Sequence, residues 1–212
     1  MTTELLPQSP AVAPGDRVRA LTLAAGAALW AVGNLLHPLT HSEAAEHAPT
    51  WAAAHITFSI GAVLLAVGLP ALTRSIRRPG GGWAGVLLTA AHGLLFAGLV
   101  VLIPVSAYHE VFVSTHLDHH AQTEIATASE ALLAPLAMAV LLGFLLFAVY
   151  AFARPAPVWG PASGALVLAG TVSMGVTAIA PGVLPGAEGW WIIPGTVAQG
   201  LAFGIAGARL AG

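Results

Sequence analysis

The sequence predicts an all-α polytopic membrane protein, a single membrane domain built as a six-transmembrane-helix bundle, and three observations carry that prediction. The first is composition: 57% of the 212 residues are hydrophobic and 8% are charged. That is more apolar surface than one soluble core can hide, so lipid must solvate it. The second is a set of six apolar stretches, each near the roughly 20 helical residues that a hydrocarbon layer requires. The third is period: the stretches are continuous Leu, Val, Ala and Gly without the alternation of a barrel strand, and only helices or closed barrels satisfy their backbone in lipid.

Residues 1–17 read as a polar tail broken by Pro7, Pro10 and Pro14, with no cationic segment before an apolar run, which is not the pattern of a cleavable signal peptide. Spans are expected over about 20–38, 51–72, 83–105, 131–153, 159–180 and 190–208. The links after the second and fourth spans, Thr73 to Gly82 and Arg154 to Val158, are short connectors. The other three links are the segments His37 to Thr50, Ser106 to Glu130 and Pro181 to Gly189. Trp51, Trp190 and Trp191 stand where helices return to the membrane, the usual place for interfacial aromatics. Pro38, Pro104 and Pro181 each follow an apolar run, a faint sign of three duplicated helical hairpins.

Charge sets the expected orientation. The seven cationic residues Arg17, Arg19, Arg74, Arg77, Arg78, Arg154 and Arg209 all fall on one side of this topology. The positive-inside rule makes that side cytoplasmic, with both termini there and the chain integral to a bacterial-type plasma membrane. Eight of the nine histidines fall toward the other side. The chain has no cysteine, which excludes disulfides, thiolate metal sites and iron–sulfur clusters. Lysine is absent too, which excludes Schiff-base chemistry on a side chain. A net charge of -2 with no basic patch argues against nucleic acid as a partner.

The densest group of potential ligands is His109, Glu110, His116, Asp118, His119 and His120. If that stretch is one helix, His109, His116 and His120 share a face with His119 adjacent, and imidazoles one turn apart can share a metal ion. Asp118 and Glu110 are then ligands or orienting acceptors, a donor set suited to Zn, Ni, Cu(II) or Fe(II). His37, His41 and His47 lie near Glu43 and Glu46, but Pro38 disfavours helix at His37, so the first span is expected to end there. His55 is one turn inside the second span. His37, His55 and His109 stand near the outer edge, where two of them can hold a shallow haem.

His92 lies near the middle of the third span and is expected to be neutral and paired. Asn34, Thr57, Ser59, Thr171, Ser173, Thr177 and Gln199 are its candidate partners, and together they predict a polar cavity that opens outward, with Glu130 at its mouth.

The spacing of His116, His119 and His120 resembles the HxxHH box of membrane di-iron desaturases and alkane hydroxylases, but one complete copy exists here and it lies on the predicted outer side. Gly160, Ser163 and Gly164 resemble the serine motif of rhomboid proteases, yet the last span has Gln199 and no histidine to act as base. His37, Pro38, His41 and His47 resemble the start of the motif in nickel and cobalt permeases, with Thr40, His41 and Ser42 where its glycine and aspartate would complete it.

Three functions are therefore expected to compete. The leading one binds a divalent transition metal, or haem b, through the outer-face residues His37, His55, His109, His116, His119, His120 and Asp118, for transport, sensing or redox work. The second is an integral membrane enzyme acting on a lipid or isoprenoid, with His92 and Glu130 as proton donor and acceptor. The third is a non-catalytic partner, in a homo-oligomer or a membrane complex, that packs through small Gly and Ala faces.

Overall fold

The computed structural model describes residues 14–39, 43–78, 82–113, 116–179 and 188–212. Apart from an isolated bridge between Ala156 and Trp159, the regular structure of these residues is helical. Helix α1 covers Pro14–Leu36, the short α2 Glu43–Glu46, and α3 Pro49–Ile76. Helix α4 (Gly82–Ala97), a π-helical turn π1 (Gly98–Leu102), α5 (Ile103–Tyr108) and a second π turn π2 (His109–Val113) follow one another without a break. Three helices complete the chain: α6 (His119–Ala153), α7 (Pro161–Ile179) and α8 (Glu188–Ala211).

Among the described residues, five helical stretches are long and apolar enough to cross a membrane: Pro14–Leu36, Pro49–Ile76, Gly82–Val113, Thr127–Ala153 and Gly189–Ala211. The stretch expected over about 159–180 is α7, whose apolar part, Pro161–Thr177, is shorter. The described residues thus form an all-helical bundle with five helices of membrane length, where the sequence suggests six.

The two largest departures from the expected boundaries both lie around the segment Ser106 to Glu130. The third span does not stop near residue 105 but runs to Val113. Pro104, read from sequence as a stop, lies in the first turn of α5. It has no N–H for the Val100 carbonyl, and its ring would crowd a regular turn there. The wider turn π1, just before α5, accommodates it. The next helix begins at His119, not near 131, because the Asp118 carboxylate accepts from the Ala121 N–H at 2.9 Å and caps it. The expected loop is therefore mostly helix. Helix α1 ends at Leu36, before the restricted residue that precedes Pro38.

The helices form a ring in chain order: α1 packs on α3 and α8, α8 on α7, α7 on α6, α6 on α4 and π1, and α3 on the third span. Phe144, Phe147, Trp159 and Phe203 fill one end of the interior, with ring centroids 4.9 to 6.0 Å apart. The outward faces carry apolar side chains such as Val86 and Leu132, 71% and 63% exposed, as expected of surface solvated by lipid.

The arginines gather at the aromatic-filled end. Arg74 pairs with Asp16, Arg78 donates to the Pro155 carbonyl at 2.7 Å, Arg209 to the Pro157 carbonyl at 3.1 Å, and Arg154 lies over the Trp83 ring. Near this end α4 and α6 approach closely. A Cβ on Gly143 would stand 2.7 Å from the Leu95 nitrogen, and one on Gly98 would strike the Val140 side chain. Beyond Gly98 the two helices stand apart around a cavity.

Candidate functional site

That cavity has a volume of about 510 Å³ and lies between α5–π2 and the N-terminal half of α6. Leu102, Leu133, Ala134 and Ala137 make its apolar wall, while Ser106, His109, Glu110, Thr127, Ser129 and Glu130 bring polar groups to it. Helical spacing explains the set. Glu130, Leu133, Ala134 and Ala137 recur at three- and four-residue intervals along one face of α6. On the facing span, Leu102 ends π1 and His109 and Glu110 begin π2. A π turn inserts a residue and re-aims the side chains after it, and such turns concentrate at functional sites.

His109 is the chemically conspicuous member. Its Nε2 is buried and has no hydrogen-bond partner in the protein. A buried polar atom left unsatisfied costs about 1–3 kcal/mol. The Glu110 carbonyl accepts from the Trp51 indole N–H at 2.9 Å, which ties π2 to α3 and holds His109 in place.

A second constellation surrounds Trp51. His37 and His55 have ring centroids 5.0 Å apart, tilted by 58°. Trp51 lies 5.1 Å from His37 and 4.5 Å from His55, and Phe58 lies 5.0 Å from His55. The His37 Nδ1 is 2.8 Å from the Pro38 carbonyl and the His55 Nδ1 is 2.8 Å from the Trp51 carbonyl. A carbonyl only accepts, so each Nδ1 carries the proton, and in the neutral ring Nε2 keeps its lone pair.

The other predicted residues do not converge. Among the described residues no group of three or more His, Asp or Glu is placed to hold a metal ion. The chain breaks helix between His109 and His120, so the shared face expected for His109, His116 and His120 does not form. His116 is exposed and its Nδ1 donates to the Phe112 carbonyl at 2.7 Å. Asp118 is spent on the cap of α6. His120 is 83% exposed and 3.9 Å from Glu124. The side chain of His119 lies outside the described residues, as do His41 and Pro181.

His92 is placed away from the cavity. At a rise of about 1.5 Å per residue, the chain between His92 and His109 covers roughly 25 Å, and His92 does not line the cavity that Glu130 lines. Its partner is none of the residues expected from sequence: the Thr73 hydroxyl donates to the Leu69 carbonyl at 2.9 Å, leaving its oxygen to accept from His92 Nδ1 at 2.9 Å.

Sequence reasoning named His109, Glu110 and Glu130 but missed Ser106, Thr127 and Ser129, whose presence on the cavity depends on helices read as loop. No protein-family model, curated protein or solved structure matches the chain. Its chemistry has to be read from its own side chains.

Proposed function

We propose that this is an integral membrane protein that binds an amphipathic, lipid-like molecule in the cavity between α5–π2 and α6, with His109 and Glu130 available to exchange protons with it. The observation that carries this reading is a cavity of about 510 Å³ in which an apolar wall meets Ser106, His109, Glu110, Ser129 and Glu130. The volume falls in the range of about 300–1,000 Å³ typical of small-molecule sites. A long apolar tail suits Leu102, Leu133 and Ala137, and a hydroxyl or carbonyl head suits Ser106, Ser129 and His109. Imidazole and carboxylate in one cavity can pass a proton to and from that head, which is the chemistry of a membrane enzyme acting on a lipid or isoprenoid.

The topology we infer has six crossings. The chain leaves α6 at the arginine end, beside Arg154, and begins α8 at the opposite end, where a Cβ on Gly189 would stand 2.6 Å from the Leu39 Cα. Helix α7 must carry it across, and its 19 residues reach roughly 28 Å. With the arginines inside, both termini are cytoplasmic and the cavity faces outward in the plasma membrane.

The test is lipid analysis of full-length protein purified in mild detergent without a histidine tag. Wild type should retain an amphiphile at near one per chain, and Ala137→Trp, which fills the cavity, should lower that occupancy at least about tenfold, equivalent to about 1.4 kcal/mol. Equal retention by both proteins would remove the proposal.

One observation favours metal binding as a second reading. Two imidazoles on one tetrahedral ion with bonds of about 2.0 Å have ring centres roughly 5 Å apart, which matches the His37–His55 spacing of 5.0 Å. Titration of tag-free protein with Co(II) should then give visible absorption that His55→Phe abolishes. Identical spectra from wild type and His55→Phe would end this reading.

A further inference from the structure

The turn that joins α6 to α7 gathers three guanidiniums from three parts of the chain. Pro155 and Pro157 interrupt the helix there, and Ala156 and Trp159 exchange N–H to carbonyl bonds of 2.9 and 3.0 Å. The indole N–H of the buried Trp159 donates to the Phe147 carbonyl at 3.1 Å, which pins the turn to α6. Arginines meet the two proline carbonyls. Arg78, two residues after α3, donates to the Pro155 carbonyl at 2.7 Å, and Arg209, in the last turn of α8, donates to the Pro157 carbonyl at 3.1 Å. Arg154 opens the same turn and lies 5.8 Å from the centre of the Trp83 ring.

No carboxylate among the described residues neutralises this group. Asp16, the acid at this end, pairs with Arg74 and lies 3.9 Å from Arg19. A guanidinium carries five N–H donors in a fork that matches a phosphate, so one carbonyl bond leaves others for a ligand. Trp83, 59% exposed, sets the depth: a tryptophan on the outside of a membrane bundle sits at headgroup level. An apolar groove of about 640 Å³ begins beside the same turn. Phe152, two residues before Arg154, rims it, and Ala165, Ala169, Val172 and Val176 line it at three- and four-residue intervals along the outward face of α7. The small side chains at 165 and 169 leave the hollow, and Val172 is 55% exposed in it. From Ala165 to Val176 it runs roughly 16 Å, about the half of the hydrocarbon layer that one leaflet supplies.

We propose that this face holds one anionic phospholipid from the leaflet at the arginine end, with its phosphate among Arg78, Arg154 and Arg209 and an acyl chain along α7. Charge complementarity selects the headgroup, as in other basic pockets beside membrane helices. The length and apolar lining of the groove select the tail. A soluble phosphate has no use for that groove, which decides the source in favour of lipid. An amphiphile without an anionic headgroup is not held here, so the site is distinct from the cavity between α5–π2 and α6 and does not depend on it.

The test counts lipids on the delipidated full chain by native mass spectrometry, with phosphatidylglycerol and phosphatidylcholine of identical chains as probes. Each arginine beside an anionic headgroup adds roughly fivefold in affinity, so wild type should hold one phosphatidylglycerol at least about tenfold more tightly than phosphatidylcholine. The triple variant Arg78→Gln, Arg154→Gln, Arg209→Gln should lose that preference. The triple variant Arg17→Gln, Arg19→Gln, Arg77→Gln removes the same charge elsewhere and should keep it. Equal loss in both would mean diffuse surface charge and would overturn the proposal. Ala169→Trp fills the groove and should weaken phosphatidylglycerol about tenfold, the effect of roughly two buried methylenes; unchanged binding would overturn it as well. A measurement on wild type alone covers variants that fold poorly. Phosphatidylglycerol should raise the unfolding temperature above that in phosphatidylcholine, while inorganic phosphate at the same concentration should not. No difference between the lipids, or equal stabilisation by phosphate, would remove the phospholipid site.

Discussion

Replacing Gly143 by alanine tests the contact that decides where the third span and α6 part. The added methyl would stand 2.7 Å from the Leu95 nitrogen and 2.8 Å from the Leu95 Cβ, and a backbone atom cannot swing aside as a side-chain end can. Overpacking of this kind costs about 1–3 kcal/mol, against about 1 kcal/mol gained when alanine replaces glycine inside a helix. The expected net effect is a loss of up to about 2 kcal/mol. Gly93 on α4 is the control, because a Cβ there meets nothing within 4 Å and Gly93→Ala should stabilise by up to about 1 kcal/mol. The two variants change the same atom type on the same pair of helices with opposite expected signs. Equilibrium unfolding in mixed micelles, driven by added dodecyl sulfate and followed by circular dichroism, reads the difference. If Gly143→Ala stabilised the protein, or if both variants moved it equally, the close approach of α4 and α6 would be wrong, and with it the placement of the cavity.

Three further outcomes follow from single contacts. Trp51→Phe removes the indole donor to the Glu110 carbonyl and should cost about 1 kcal/mol, with faster amide exchange in π2 as the local sign. Thr73→Val takes away the oxygen that His92 Nδ1–H meets; stability should fall by about 1 kcal/mol and the His92 nitrogen resonances should move, while amphiphile occupancy stays unchanged because Leu102, the first residue of the third span to line the cavity, is roughly 15 Å along the helix from His92. Asp118→Ala deletes the cap of α6 and should cost about 1 kcal/mol, with loss of exchange protection at Ala121; unaltered protection would mean that the helix starts elsewhere.

The class of fold was legible because it depends on bulk quantities, the apolar fraction and the length of apolar runs, which local exceptions do not disturb. The end of the first span was legible for a local reason, the restriction that Pro38 imposes on His37. The third span was not, because Pro104 obeys the same stopping rule in sequence and escapes it in structure. The escape is a π turn, and a π turn has no composition that marks it. The reading of the site changes with that turn and with the cap at Asp118. With the helix continued to Val113 and restarted at His119, Ser106, Thr127 and Ser129 join His109, Glu110 and Glu130 on a cavity, while the face proposed for His109, His116 and His120 is cut by a turn. Asp118 shows how one residue type serves two readings: beside three histidines it looks like a ligand, and before a helix it is a cap. For His92 the sequence suggested partners from the outer half of the bundle, whereas depth alone, ten residues from the start of α4, would have favoured Thr73 near the end of α3.

The central claim, that the space between α5–π2 and α6 is a binding site for a lipid-like molecule, is tested most directly by mapping where such a molecule sits. Purified full-length protein in lipid nanodiscs is irradiated with a photoreactive acyl probe at a low ratio to bulk lipid, and the adducts are located by peptide mass spectrometry. The account predicts adducts concentrated in residues 102–110 and 127–137 and lost in Ala137→Trp. Adducts spread evenly over the outward faces at Val86, Leu35 and Leu201, and indifferent to that substitution, would contradict it.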